Sequence, residues 1–178
     1  MVKNFFEPTL LVEGRSSQEF IWKPQQLDLE YENTGFPDNI ELELDCIRRG
    51  LEIACVGIVS TVLDLVCVRC LEHFDFDMKE RIEFAVRLAA GAPLFAELWE
   101  SDLVRVDPGS GKVDISPRIR DAVILGIPQH PLCKPDCKGL CPVCGANLNF
   151  VDCGHNISKT EDIDPRWEKL KDLIRSKK

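Results

Sequence analysis

Apolar and charged residues alternate with period two along Ile40-Glu41-Leu42-Glu43-Leu44, and again along Leu51-Glu52-Ile53-Ala54-Cys55 after the turn residues Arg49-Gly50. Such alternation buries one face of a strand and wets the other. Val56 to Val66 is rich in Val, Ile, Leu and Thr, a composition expected of a strand buried on both faces. Phe74-Asp75-Phe76-Asp77-Met78 alternates once more and runs into Ile82-Glu83-Phe84-Ala85-Val86. The pattern predicts an antiparallel sheet containing a long hairpin with its tip near residues 67–73.

Residues 91–100 fit either a short helix or a loop, and Leu103 to Val106 reads as a short strand followed by the turn Asp107-Pro108-Gly109-Ser110-Gly111. A helix is predicted next. Ser116 suits the N-cap, Pro117 the first helical position, and Ile119, Ala122 and Val123 line one face. Gly126 suits a left-handed C-terminal position, with Pro128 just beyond. Residues 129–160 have no period. A final helix is expected from Asp164-Pro165, with Trp167, Leu170, Leu173 and Ile174 on one face. The expected class is α+β: an antiparallel β-sheet body with two or more helices and a C-terminal zinc-ribbon-like loop region. The expected organisation is a mainly β body over 1–130, with a helix near 116–126, and a Cys-rich zinc-binding region with a C-terminal helix over 131–178.

Composition narrows the function classes. The 178 residues are 44% hydrophobic and 29% charged, ordinary for a globular chain. No apolar run approaches the ~18 residues of a membrane span. Residues 1–14 have neither the charge pattern nor the apolar core of a signal or transit peptide, so a cytoplasmic location is expected. The net charge of −8 divides unevenly, −10 over residues 1–130 and +2 over 131–178, which argues against indiscriminate binding to a polyanion.

Nine cysteines are the informative feature. In a reducing compartment, clustered thiols bind metal more often than they form disulfides. Cys67-Val-Arg-Cys70 and Cys141-Pro-Val-Cys144-Gly145 are C-x2-C pairs, whose turn lets two thiolates face one ion while backbone amides point at the sulfurs. Pro142 stiffens the second turn, and Gly145 permits a positive φ just after it. Cys133, Cys137, Cys153 and His155 complete eight ligands, enough for two four-coordinate zinc ions of structural type. One partition groups Cys67, Cys70, Cys133 and Cys137, then Cys141, Cys144, Cys153 and His155. Another puts Cys133, Cys137, Cys141 and Cys144 on one ion. Cys46 and Cys55 read as core residues, and Trp22, Trp99 and Trp167 as core or interface aromatics. His73 and His130 read as surface residues, or as residues that support the ligands from behind, rather than as ligands.

No phosphate-binding loop, dinucleotide fingerprint, nucleophile elbow or zincin motif is present. No chemistry beyond metal ligation is visible, and no catalytic residue is assigned. The competing reading is a thiol oxidoreductase using Cys67 and Cys70, although no helix N-terminus is predicted there to lower a thiol pKa.

The strings Cys67-Val-Arg-Cys70-Leu71-Glu72, Pro131-Leu132-Cys133 and Cys137-Lys138-Gly139-Leu140-Cys141-Pro142-Val143-Cys144-Gly145-Ala146-Asn147-Leu148-Asn149, with the closing Asp164-Pro165-Arg166-Trp167 and Leu170, resemble the YceD family of large ribosomal RNA subunit accumulation proteins. The order of motifs matches over roughly residues 10–175, departing at His155, where many relatives carry Cys. The resemblance implies a non-enzymatic role in synthesis, processing or stability of large-subunit (23S) ribosomal RNA during ribosome biogenesis. The implied partner is that RNA or a pre-ribosomal particle, reached directly or through a ribosomal protein, with neither a membrane nor a small-molecule substrate. RNA contact needs only local positive charge. Arg69, Lys134 and Lys138 are the candidates, extended by Lys112, Arg118, Arg120 and basic residues from Arg166 to Lys178.

Overall fold

The computed structural model describes residues 5–97, 102–109 and 111–155. The chain divides into two compact units, residues 1–137 and 138–178. In the first, strands β1 (Phe5–Phe6), β2 (Gly14–Trp22), β3 (Thr34–Gly35), β4 (Ile40–Arg49), β5 (Glu52–Val66), β6 (His73–Leu88), β7 (Phe95–Glu97), β8 (Leu103–Val106) and β9 (Lys112–Asp114) precede one helix, α1 (Ser116–Leu125). The larger sheet has the order β2-β4-β5-β6-β8, with β3 pairing on β5 beyond the end of β4. The smaller sheet is β1-β9-β7.

The long hairpin forms where its alternation predicts, with β5 and β6 in register from Glu52↔Arg87 to Val66↔His73. It leaves a six-residue tip at residues 67–72. Among the described residues only β6–β8 and β7–β9 pair in parallel, so the body is mixed rather than purely antiparallel. β5 alternates like its neighbours instead of being buried on both faces. Ile53, Cys55, Val59, Leu63 and Leu65 point inward, while Ala54, Val56 and Ile58 stay exposed. Nothing covers that outer face among the described residues, which is why composition alone misread the strand. Residues 91–100, left open between helix and loop, contribute β7.

The inner face of β4, β5 and β6 packs on α1 through Ile119 and Val123, and on Trp22, Phe6, Leu27 and Leu29. Burying each large side chain stabilises by about 1.5–3 kcal/mol. Cys46 and Cys55 face each other across β4 and β5 inside this core, Sγ to Sγ 3.0 Å. Among the described residues there is one α-helix, where two or more were expected. The helix expected from Asp164 lies outside them, as do Trp99 and Trp167. No described helix is long and apolar enough to cross a membrane.

Two local expectations for α1 are corrected. Ser116 is its first residue and makes no side-chain cap; the Asp114 carboxylate instead accepts the Ser116 N–H at 3.0 Å. A carboxylate at a helix start satisfies a free donor and meets the positive dipole end. Gly126 keeps right-handed backbone, φ −73°. Its missing Cβ matters for another reason: one would lie 2.8 Å from Glu80 Cγ and from Met78 Sδ, so glycine lets the helix end approach β6.

Gly57 plays a similar part on β5, where an added Cβ would lie 2.6 Å from Leu42 Cδ1 and 3.2 Å from the Glu43 carbonyl oxygen. Gly57→Ala should therefore destabilise the body by about 1–3 kcal/mol through overpacking, measured as a lowered denaturation midpoint with unchanged slope in urea.

Candidate metal centres

The hairpin tip is a metal-type knuckle. Cys67 N–H donates to the Glu72 carbonyl (2.9 Å), and Leu71 N–H donates back to the Cys67 carbonyl (2.9 Å). Closing so tight a turn forces Leu71 into the left-handed region, φ +60°. That conformation costs a non-glycine residue about 1–2 kcal/mol. The second knuckle repeats the geometry: Gly145 N–H donates to the Cys141 carbonyl at 2.8 Å, with φ +74° at Gly145. The positive φ expected at Gly145 is present; that at Leu71 was hidden because leucine does not advertise it.

In the first unit the loop after α1 folds onto this tip. Val68 N–H donates to the Pro131 carbonyl at 3.0 Å, and the Arg69 guanidinium donates to the Cys137 carbonyl at 3.0 Å. Cys67, Cys70, Cys133 and Cys137 then present sulfurs lying within 4.8 Å of one another. Cys67 and Cys137 are 3.8 Å apart and Cys70 and Cys133 3.6 Å. Tetrahedral coordination at ~2.3 Å metal–sulfur bonds separates ligands by about 3.8 Å, so the four thiols are spaced to hold one ion. Cys67, Cys70 and Cys137 are buried, packed with Phe74, Leu132 and Cys133.

The second unit brings together Cys141, Cys144, Cys153 and His155, also within 4.8 Å, with Cys141 Sγ 3.9 Å from His155 Nδ1. The alternative grouping of Cys133, Cys137, Cys141 and Cys144 is not the one found. Here two asparagines, present in the sequence reading only as part of the family string, shape the loop. Asn147 Oδ1 accepts the Asn149 backbone N–H at 3.0 Å, and Asn149 Oδ1 accepts that of Lys138 at 3.0 Å. Leu140 and Asn147 form a β-bridge, and Cys141 N–H donates to the Ala146 carbonyl at 2.8 Å. Turn-forming side chains at fixed offsets were the available signal. This cluster is more open, with Cys144 and His155 exposed.

Electrostatics prepares both clusters for a cation. Burial pushes the Cys67 thiol up, but backbone N–H groups of Cys133, Cys70 and Arg69, then the Cys70 thiol, outweigh it and bring Cys67 down to about 6. Cys141 also falls to about 6, mainly through the N–H groups of Cys144 and Val143. Cys133 is pushed up to about 12 by burial and by the thiols of Cys70, Cys137 and Cys67. A metal ion displaces such held protons.

The basic candidates are placed unevenly. Arg69 is committed in part to Cys137, whereas Lys134 and Lys138 are exposed and make no ion pair among the described residues. Lys112 pairs with Glu7, Arg118 with Asp102, and Arg120 lies 3.4 Å from the Asp28 carbonyl. The basic residues from Arg166 onward lie outside the described residues. His73 pairs with Asp64 on the surface, and His130 is exposed in neither cluster.

A family model described as large ribosomal RNA subunit accumulation protein YceD matches residues 56–174. An uncharacterized protein of Mycobacterium tuberculosis is 34% identical over 139 residues, 76% of this chain and 61% of its own length. Proteins of Zea mays and Arabidopsis thaliana, each named large ribosomal RNA subunit accumulation protein YCED homolog 1, chloroplastic, are 32% and 31% identical over 61% and 67% of this chain, and 45% and 46% of their own. The chain thus spans about three fifths of the mycobacterial relative and under half of the plant ones. No solved structure matches.

Loaded protein should release metal to a strong chelator in two phases, the fast one from the exposed second cluster. Arg69→Ala should weaken only the slow phase, by about 10–100-fold as for other residues that orient ligands. Because Cys67 and Cys141 are drawn down to about 6, protons compete with the ion for these two thiols only below about pH 6, so metal affinity should fall more steeply there than between pH 8 and 6. Chelator absorbance followed over time reads the two phases, and equilibrium dialysis at each pH reads the occupancy.

Proposed function

The chain belongs to the YceD family of large ribosomal RNA subunit accumulation proteins, and on that footing we propose that it is a zinc-stabilised, non-enzymatic factor for accumulation of large-subunit ribosomal RNA. The observation that carries the reading is the preassembled Cys67-Cys70-Cys133-Cys137 cluster, which fixes a loop presenting Lys134, exposed and in no ion pair among the described residues. The thiolate-rich sets suit Zn²⁺, and four protein ligands per ion leave no open position for catalysis. Zinc bound by Cys67, Cys70, Cys133 and Cys137, and by Cys141, Cys144, Cys153 and His155, supplies folding energy rather than reactivity.

Structural zinc contributes ~10–16 kcal/mol of apparent binding free energy, comparable to the whole ~5–15 kcal/mol stability of a domain. In the second unit, whose described part has no hydrophobic cluster, that energy dominates. Arg69, Lys134 and Lys138 are the proposed phosphate contacts; a net charge of −8 does not oppose them, because counterion release is local. Ribosomal RNA within the pre-ribosomal particle is the proposed partner, in the cytoplasm or, as for the plant relatives, an organelle. Thiol exchange at Cys67 and Cys70 fits less well: both thiols are buried and each has a further sulfur within 3.8 Å.

Depletion should lower large-subunit relative to small-subunit ribosomal RNA, and an unchanged ratio would overturn the assignment. Elemental analysis should find about two zinc ions per chain, as the two ligand sets require. Zinc removal should abolish amide-exchange protection over residues 138–155 while the β-body keeps its far-ultraviolet signal. If the protein binds RNA through the proposed residues, Lys134→Ala should flatten the salt dependence of binding by about 0.7–0.9 in logarithmic slope.

A further inference from the structure

Cys46 and Cys55 belong to neither metal cluster. They lie directly opposite each other on β4 and β5, both buried on the inner face of the sheet. Their row crosses four strands, from Ser16 of β2 through Cys46 and Cys55 to Phe84 of β6. Facing Cα atoms in an antiparallel pair are about 4.5 or 5.5 Å apart, depending on the kind of ladder position. A disulfide spans about 4.4–6.8 Å between Cα atoms, so either position suits one.

The side chains already converge, with Sγ to Sγ 3.0 Å. In the first metal cluster, by contrast, neighbouring sulfurs stand 3.6 and 3.8 Å apart, the spacing that leaves room for an ion. No third metal-type ligand joins Cys46 and Cys55 among the described residues. The pair is therefore arranged for a bond between its sulfurs rather than for a cation.

We propose that Cys46 and Cys55 are a dithiol redox site that closes into a cross-strand disulfide at the expense of a peroxide. The Cys55 S–H donates to the Cys46 sulfur, which draws the Cys46 thiol down; the same bond, then burial, keeps Cys55 protonated. Cys46 is thus the attacking sulfur. Its thiolate takes one peroxide oxygen, the O–O bond breaks, and the departing hydroxide leaves as water with the proton that Cys46 released. Cys55 then attacks the sulfur of the resulting sulfenic acid, the S–O bond breaks, and the second hydroxide leaves as water with the Cys55 proton. Two thiols and one peroxide become one disulfide and two waters, the sulfurs giving up two electrons.

Ser16 flanks Cys46 on the side away from Cys55, and its buried Oγ has no hydrogen-bond partner. A hydroxyl there offers the sulfenic oxygen a hydrogen bond within an otherwise apolar row. Three register pairs separate the thiols from the turn at Gly50 and Leu51, so fraying of that hairpin end is the route by which a small oxidant enters. The pair draws on neither bound metal nor RNA, and its chemistry stands apart from the function proposed above.

The test is peroxide treatment of the reduced full chain supplied with zinc, followed by alkylation in denaturant and peptide mapping by mass spectrometry. A Cys46–Cys55 cross-link should be the main disulfide, and the thermal midpoint should rise by about 5–10 °C, reversibly with dithiothreitol. Cys55→Ala should accumulate a dimedone-reactive sulfenic acid at Cys46, and Cys46→Ala at least about tenfold less at Cys55. Each variant is compared with itself before and after peroxide, so a change in its stability leaves the readout intact. Recovery of both cysteines as alkylated thiols overturns the inference, as does their cross-linking to the metal ligands instead. A cross-link that forms only in urea overturns it too, because the folded register would then contribute nothing. Equal dimedone labelling of the two variants overturns the assignment of Cys46 as the attacking sulfur.

Discussion

Four sulfurs held within 4.8 Å cannot all carry charge unless a cation sits among them. The first cluster shows the conflict in its thiols, Cys67 drawn down to about 6 and Cys133 driven up to about 12. The surrounding structure keeps that arrangement in place. The hairpin supplies one pair of sulfurs at its tip, the loop after α1 supplies the other, and Val68 and Arg69 clamp the loop by hydrogen bonds to Pro131 and Cys137. A knuckle strained at Leu71 is tolerated because several contacts over-determine it.

The sheet serves this arrangement by being long and singly amphipathic. The β5–β6 ladder carries the tip well beyond the part of the sheet paired with β4, whose register ends at Ser60. One face is closed by α1 and the aromatic side chains of Trp22 and Phe6; the other is left as a patterned surface. Burial on the inner face and exposure on the outer are two results of the same period-two alternation.

Much of this was readable in the chain because it is written in periodicity or in spacing. Ile40 to Leu44 and Phe74 to Val86 alternate plainly, and the C-x2-C pairs limit how ligands can be shared. What escaped depends on partners remote in sequence. The outward exposure of Val56 and Ile58 reflects what the sheet lacks above it, which no local pattern records. Asp114 rather than Ser116 caps α1, and Gly126 serves close approach to Met78 rather than a left-handed turn. Leu71 occupies a glycine-type conformation without glycine, and Asn147 and Asn149 read as ordinary loop residues until their backbone partners are seen.

The first cluster joins residues separated by 63 positions at Cys70 and Cys133. A ribosome adds residues at about 5–20 per second, so the leading pair of cysteines waits roughly 3–13 s for its complement to be synthesised. During that interval the nascent chain carries half a coordination sphere, with two thiols available to stray metals, oxidants or neighbouring nascent chains. By contrast, the ligands from Cys141 to His155 span fifteen residues and reach the cell together. The order of translation therefore gives the two centres different exposures to error before either is complete.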